Sequence, residues 1–210
     1  MQEAMSNSQN EKESLAASVE EAESLDLYKQ YVTELKLSSE DMAKKILDVG
    51  ADFGHFAEVA KKKGYNDVWS IDIEHPADRY DIDTDAGLGA GKITVADAFQ
   101  LPFKDKTFDL AVSFCAMPNV VKGLNPIDYS KEVKKVFQEM LRVVKIGGEA
   151  RFGRVVSEFR RDDPLQRGVE IRKVLRWFDK SRNFQTSVEI TGNTLIDERP
   201  SHLVRIKKLS

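Results

Sequence analysis

Residues 46–56, ILDVGADFGHF, constrain the fold of this chain most strongly. An apolar run rich in β-branched residues ends at a turn that holds Gly50 and Gly54, and a helical pattern follows, which Gly64 terminates. The apolar face of that helix is formed by Phe56, Val59 and Ala60. A strand, a tight turn and a helix form the opening unit of an open α/β sheet, which binds ligands at the carboxyl ends of its strands.

Asp52 lies between the two glycines and narrows the choice of ligand. Glycines let the backbone turn sharply and let a ligand approach closely. A dinucleotide would place its pyrophosphate over the N-terminus of the following helix, where the Asp52 carboxylate would repel it. A nicotinamide dinucleotide motif would also need glycines at positions 52 and 55, which are Asp and His. The turn therefore favours a cationic ligand and disfavours an NAD-dependent dehydrogenase.

The composition is that of a globular protein. The 210 residues suffice for one well-buried core, and the formal net charge of −3 does not suggest a surface built for nucleic acid. The single cysteine, Cys115, excludes an intrachain disulfide framework, and the three widely spaced histidines form no metal-binding pattern, so we expect no metal. Because no apolar run approaches membrane-spanning length and no signal-peptide core is present, we expect a cytoplasmic protein without membrane contact.

The chain is predicted to consist of a tail and one domain. Residues 1–23 are polar and rich in glutamate, which predicts a flexible acidic tail, and residues 24–210 form the domain. A helix is expected to begin at Ser24 as its N-cap and to lie over the sheet or over the site. Its apolar face is formed by Tyr28, Tyr31, Val32 and Leu35.

Five predicted strands alternate with helices, and two more close the chain. The strands are expected at 45–49, 68–73, 93–96, 108–114 and 149–156, followed by a hairpin of 186–191 and 203–209. One helix is expected at 54–63, a second is expected to end at Gly147-Gly148, and a third is expected at 164–178. Residues 74–91 lack helical periodicity and are expected to form a loop. The pattern predicts an α/β fold with an open, doubly wound, mostly parallel seven-stranded sheet, a C-terminal antiparallel hairpin and helices on both faces.

This order of elements resembles the class I S-adenosylmethionine-dependent methyltransferases, and in particular their small-molecule branch. Asp48, Gly50 and Gly54 match the first motif of that family, and Asp52 replaces its middle glycine. The runs LPFKDKTFD at 101–109 and LRVVKIGG at 141–148 resemble two further family segments. The resemblance covers roughly residues 25–209.

The resemblance implies S-adenosylmethionine as the cofactor and identifies residues that bind it. Asp72 would hold the ribose hydroxyls at the end of the second strand, and Asp97 would contact the adenine amine after the third. The full implied set comprises Asp48, Gly50, Ala51, Asp52, Gly54, Asp72, Ile73, Asp97, Ala98 and Phe114. Because Asp52 stands where the family has glycine, weakened cofactor binding is an alternative.

The implied reaction is methyl transfer to an O, N or C atom of a small-molecule acceptor. Because the methyl group is already activated by the sulfonium, positioning and desolvation supply much of the catalysis, and no catalytic residue is identified. Glu74, His75 and His202 are candidates for a general base. The oligomeric state stays open.

Two other functions are compatible with the sequence. Residues 151–180 hold an excess of positive charge, which is either the solvated face of a helix or a surface for an anionic acceptor such as RNA. The basic residues are Arg151, Arg154, Arg160, Arg161, Arg167, Arg172, Lys173, Arg176 and Lys180. The altered glycine turn and the unusual segment 74–91 instead suggest a non-catalytic adenosyl-binding or regulatory relative.

Overall fold

The computed structural model describes residues 18–19, 21–73, 92–116, 125–155, 167–193 and 200–210. The expected loop at 74–91, with the candidate bases Glu74 and His75, lies outside the described residues, as do Arg160 and Arg161 of the basic segment.

A seven-stranded sheet forms the centre of the protein, with the strand order β3-β2-β1-β4-β5-β7-β6. The strands are β1 Ile46–Val49, β2 Val68–Asp72, β3 Lys92–Val95, β4 Phe108–Phe114, β5 Val144–Val155, β6 Phe184–Asn193 and β7 Pro200–Lys208. Strands β1 to β5 pair in parallel, and β7 is antiparallel to both β5 and β6. The predicted open sheet and its C-terminal hairpin are confirmed.

Helices cover both faces of this sheet. They are α1 at residues 21–34, α2 Ser39–Met42, α3 His55–Lys62, α4 Pro126–Val143 and α5 Arg167–Asp179. One apolar core joins the sheet to α4 and α5, and a second core joins the opposite face to α1 and α3. The sheet therefore lies in the middle of three layers, as the doubly wound pattern predicts.

The prediction that Ser24 caps the first helix is wrong. Helical structure already runs through residues 21–23, where glutamate and alanine favour a helix. Ser24 is buried inside α1, and its Oγ lies 3.1 Å from Nδ1 of His55 in the first turn of α3. Its hydroxyl therefore joins two helices and does not cap its own.

Gly147-Gly148 does not end the helix either. Helix α4 stops at Val143, and Val144 is already extended with φ −82° and ψ 139° because it pairs with Phe108 of β4. The register with β4 then shifts before Glu149, which leaves residues 145–148 as an irregularity within β5. A Cβ on Gly148 would lie 2.5 Å from the carbonyl oxygen of Asp109, so this glycine permits close strand packing.

Candidate functional site

The turn after β1 alternates between ordinary and left-handed backbone. Gly50, Asp52 and Gly54 have φ values of 76°, 51° and 74°. The N–H groups of Gly50 and Ala51 both donate to the carbonyl oxygen of Ile71, at 2.9 and 3.0 Å, which fastens the turn to β2. Aspartate tolerates the left-handed region better than most residues, so Asp52 retains a backbone conformation usual for glycine.

Gly50 brings the turn against the end of β4. A Cβ at position 50 would lie 2.4 Å from the Cβ of Ala116, a distance that folded proteins do not tolerate. Ala51 is buried below the turn, and Gly54 precedes the first residue of α3 without a side-chain cap. The absence of a side chain at position 50 is therefore a steric requirement of this turn.

Asp72 and Asp52 come together beside the turn. Oδ2 of the partly exposed Asp72 accepts a hydrogen bond of 2.9 Å from the backbone N–H of Asp52. The backbone oxygen of Asp72 accepts from the N–H of Ala96 at 2.8 Å, which joins the ends of β2 and β3. The side chain of Ile73, the next residue, is 64% exposed and is accessible to a ligand.

Asp97 and Ala98 follow β3 in a tight turn. Oδ1 of Asp97 accepts a hydrogen bond of 2.8 Å from the N–H of Phe99, and its backbone oxygen accepts from Gln100 at 3.0 Å. Ala98 packs at the edge of the core, whereas the Asp97 carboxylate is exposed. One carboxylate oxygen of Asp97 thus stabilises the turn that contains Asp97. A contact between Asp97 and adenine stays a prediction.

Asp48 is the buried carboxyl group of the site. It is 0% exposed within β1, and the hydroxyl of Tyr31 in α1 donates to its Oδ1 at 3.4 Å. Within the described part of the chain, Oδ2 of Asp48 has no hydrogen-bond partner. Burial raises the pKa of Asp48 to about 8, with a further increase from the charge of Asp72 and an opposing effect of the Tyr31 hydrogen bond.

The free energy of unfolding should therefore fall as the pH rises from 5 to 8. Asp48 titrates at about 8 in the folded state and at about 3.9 in an unfolded chain, so the folded state binds more protons in this interval. Asp48→Asn should reduce this loss of stability because asparagine does not titrate. Urea unfolding of wild type and Asp48→Asn at several pH values measures the pH dependence of the free energy of unfolding. Asp97→Asn, at an exposed position, is the control. Equal pH slopes for wild type and Asp48→Asn would contradict the assignment.

Phe114, the last residue of β4, packs in the core beneath α1. Its ring is buried, with its centroid 4.6 Å from that of Tyr31 and 5.0 Å from the guanidinium carbon of Arg154. The side chain belongs to the core beneath α1, and a contact between Phe114 and the cofactor stays a prediction.

Arg154 is engaged inside the protein. Its Nη2 lies 2.8 Å from Oε1 of Glu34 and donates to Oε1 of Gln30 at 3.0 Å, so it ties the end of β5 to α1. Its Nη1 also lies 3.8 Å from Sγ of Cys115, whose thiol pKa is raised by burial. The interpretation of Arg154 as a receptor for an anionic acceptor loses support, because its charge is already matched by a carboxylate.

Arg151 is likewise paired. It lies 3.0 Å from Oδ2 of Asp41 and 2.9 Å from Oε2 of Glu149, and it is almost fully buried. Burial alone would raise the pKa of Asp41, but a hydrogen bond from Lys44 and the charge of Arg151 lower this pKa to about 2. The sequence provides no signal for the pairs of Arg151 with Asp41 and of Arg154 with Glu34, because these partners lie more than 100 residues away along the chain.

His202 is buried in β7 and pairs in register with Val155, the last residue of β5. It thus lies at the edge of the sheet where the parallel strands end, and its role as a base stays a prediction. In the regions that the structure describes, no three metal-binding side chains come together. No helix there is long and apolar enough to cross a membrane.

A charged cavity of about 560 Å³ lies at the opposite edge of the sheet. Its lining includes Lys44, Asp109, Lys145 and Lys207, near the amino ends of the parallel strands. Lys44 and Lys145 are paired with Asp41 and Asp109 at 2.9 and 2.7 Å. This cavity is separate from the turn and its carboxylates.

Comparisons with known proteins agree on one fold. NodS, an N-methyltransferase from Bradyrhizobium japonicum WM9, is 16% identical with a TM-score of 0.55, over 87% of this chain and 96% of that one. Magnesium protoporphyrin IX methyltransferase (ChlM) from Synechocystis PCC 6803, solved with bound S-adenosylmethionine, is 12% identical with a TM-score of 0.51, over 90% and 79%. The [4+2]-cyclase SpnF is 16% identical with a TM-score of 0.56, over 87% and 80%.

At these identities the likeness shows the fold alone, and SpnF illustrates that one fold carries different reactions. A sequence search among curated proteins finds no match. The family is shown by a family model described as "Methyltransferase domain", which matches residues 47–152, half of the chain. That range contains the glycine turn, Asp72 and Asp97. The chain therefore belongs to the class I S-adenosylmethionine-dependent methyltransferases.

Proposed function

We propose that this protein transfers the methyl group of S-adenosylmethionine to an O, N or C atom of a small-molecule acceptor. The observation that carries the proposal is the placement of three carboxyl groups, Asp48, Asp72 and Asp97, on β1 and at the ends of β2 and β3. These strands are neighbours in the sheet, so the three groups lie near one edge of it, with Asp48 buried and Asp72 and Asp97 at least partly exposed. The cofactor offers matching groups, namely an ammonium, a ribose diol and an adenine amine.

The residues at the turn fit this cofactor. Gly50 leaves no side chain between the turn and Ala116, and the positions 50, 52 and 54 keep the left-handed conformations of a glycine-rich turn. Oδ2 of Asp48 is a buried polar atom without a described hydrogen-bond partner, and a cationic ligand beside it would favour the charged form of this carboxyl group. Asp52 therefore does not by itself exclude cofactor binding.

When bound, S-adenosylmethionine supplies a methyl group that its sulfonium has already activated. The protein's part is then to hold and orient the cofactor and to exclude water. We assign the ribose hydroxyls to Asp72 and the adenine amine to Asp97. A general base is not required for every acceptor, and His202 is the candidate within the described residues.

Two arginines of the basic segment are engaged inside the protein, which favours a small acceptor over RNA. Arg151 and Arg154, the two members nearest the end of β5, form ion pairs with Asp41, Glu149 and Glu34. Their charges are therefore not available to a phosphate backbone without breaking these pairs. NodS and ChlM are named as an N-methyltransferase and a porphyrin methyltransferase, which is consistent with a small acceptor.

Calorimetric titration with S-adenosylmethionine, S-adenosylhomocysteine and NAD tests the ligand assignment. Both adenosyl compounds should bind, and NAD should not, because Asp52 repels a pyrophosphate at the turn. Preferential binding of NAD would contradict the proposal.

Transfer of a labelled methyl group tests the acceptor. We expect incorporation into at least one member of a panel of small amines, phenols and carboxylates, and none into transfer or ribosomal RNA. Salt-sensitive labelling of RNA would support the RNA alternative. Cofactor binding without transfer to any acceptor would support the non-catalytic alternative.

A further inference from the structure

Tyr31 joins α1 to the start of α3 and to the end of β4, beside the candidate site. Its ring stacks on Phe56 in the first turn of α3, with centroids 4.5 Å apart and planes 11° from parallel. The Tyr31 ring also lies against the ring of Phe114 at the end of β4, with centroids 4.6 Å apart. Because Tyr31 is only 4% exposed between these rings, its hydroxyl has little freedom to move.

That hydroxyl is the described donor to Asp48. It donates to Oδ1, whereas Oδ2 has no hydrogen-bond partner in the described part of the chain. A carboxyl group with one described donor depends on that donor for its orientation. The orientation of a β1 side chain is thus set by a residue of α1, 17 positions earlier in the chain.

Helix α1 is fastened near both of its ends. Near its start, Oγ of Ser24 lies 3.1 Å from Nδ1 of His55, the first residue of α3. At its end, Glu34 pairs with Arg154 of β5 at 2.8 Å, and Gln30 accepts a hydrogen bond from the same guanidinium. The position of Tyr31 over Asp48 is therefore determined by contacts with two separate elements.

We propose that Tyr31 is a positioning residue for cofactor binding. The hydrogen bond from the Tyr31 hydroxyl orients the Asp48 carboxyl group, so α1 becomes part of the S-adenosylmethionine site. The inference rests on the proposed function, because it requires that the cationic cofactor enters the crevice beside β1.

A consequence is that cofactor binding releases a proton. Among the described residues, the ionisable groups that face Asp48 and Tyr31 are Asp52 in the turn, Asp72 at the end of β2 and Cys115 after β4, while Arg154 on β5 is matched by Glu34. With no cation among the nearest groups that the structure describes, Asp48 keeps its proton at neutral pH. A bound cation favours the carboxylate, so the Asp48 O–H bond breaks, its proton passes to the solvent, and the negative charge faces the cofactor.

The test compares Tyr31→Phe with the matched control Tyr28→Phe. Tyr28 lies on the same helix and stacks on the same Phe56 ring at 5.7 Å, but no hydrogen bond from its hydroxyl is found among the described residues. Affinity for S-adenosylmethionine is measured by calorimetry between pH 5.5 and 7.5, in buffers of different ionisation enthalpy, which yields the number of protons released.

For wild type and Tyr28→Phe we expect affinity to rise with pH and about one proton to be released near pH 6.5. Tyr31→Phe should bind S-adenosylmethionine about tenfold more weakly at pH 7, because it loses one hydrogen bond to a charged group. The increase of its affinity with pH should also occur at higher pH than in wild type. Asp48→Asn, the second variant, should release no proton and show a flat profile over this range.

Equal affinities and superimposable pH profiles for Tyr31→Phe and Tyr28→Phe would overturn the inference, as would binding by wild type without proton release. Failure of wild type to bind S-adenosylmethionine at any pH would instead refute the proposed function, and this inference with it. Thermal melts of each variant show whether it is folded, and the displaced pH profile is a readout that lost packing alone would not produce.

Discussion

Replacing Asp72 with alanine is expected to weaken S-adenosylmethionine binding by ten- to a hundredfold or more. A carboxylate can accept two hydrogen bonds from a ribose diol, and bonds of this charge-assisted kind contribute roughly 1.5–3 kcal/mol each, where about 1.4 kcal/mol corresponds to a factor of ten. The structure adds a second role, because Asp72 also accepts a hydrogen bond from the N–H of Asp52 in the turn. Calorimetric titration of both proteins measures the effect.

Asp72→Asn separates these two roles. Its side-chain oxygen can still accept from the Asp52 N–H, but it loses the negative charge and one acceptor for the ribose. We expect Asp72→Asn to keep wild-type stability and to lose most of the affinity. Asp72→Ala should also unfold about 0.5–1 kcal/mol more easily, since the Asp52 N–H is exposed and water replaces its partner. If both variants bind S-adenosylmethionine as tightly as wild type, the assignment of the ribose to Asp72 is wrong.

Gly50→Ala is expected to destabilise the protein by about 3 kcal/mol and to abolish measurable cofactor binding at micromolar concentrations. Two costs add: a left-handed alanine costs roughly 1–2 kcal/mol, and an extra carbon in a packed site costs roughly 1–3 kcal/mol. The second cost arises because the new Cβ would lie 2.4 Å from the Cβ of Ala116. The turn must move to relieve this contact, and the cofactor site moves with it.

Gly64→Ala is the matched control for backbone strain. Gly64 also has a positive φ, 92°, but a Cβ there meets nothing within 4 Å. It should therefore cost only about 1–2 kcal/mol and leave cofactor affinity unchanged. Urea unfolding and calorimetry of the two variants measure the difference. Equal losses of stability, or unchanged cofactor binding by Gly50→Ala, would show that the contact with Ala116 does not shape the site.

The fold was predictable because its signals are local. The apolar run before Gly50, the helical spacing of Phe56, Val59 and Ala60, and the stop at Gly64 each act within a few residues, and the structure confirms the resulting strand and helix. The failures occurred where a distant partner changed a local preference. Val144 follows a helical pattern along the chain, but its pairing with Phe108 of β4 makes it extended. Ser24 has the chemistry of an N-cap but lies within α1, where its hydroxyl contacts His55.

The positive excess of residues 151–180 illustrates the same limit for function. Counting charges along the chain finds more arginines than acids, but it does not find Glu34 or Asp41, which precede the segment by more than 100 residues. Only the packing of α1 and α2 against β5 brings these carboxylates to Arg154 and Arg151. Charge in a sequence window therefore predicts a binding surface poorly when other elements cover that window.

Local patterns along the chain are sufficient to predict the sheet, the layers and the positions of Asp48, Asp72 and Asp97, because strand ends follow from local periodicity and parallel strands bring their carboxyl ends to one edge. The two glycines likewise predict the sharp turn at positions 50 and 54, whereas the left-handed conformation of Asp52 is a finding of the structure. The groups that surround these three carboxyl groups depend instead on long-range packing, which local patterns do not reveal. Tyr31 reaches Asp48, and Asp72 reaches the Asp52 N–H, through contacts between separate elements. Burial and hydrogen bonding depend on these long-range contacts, and they set the protonation and orientation of each carboxyl group.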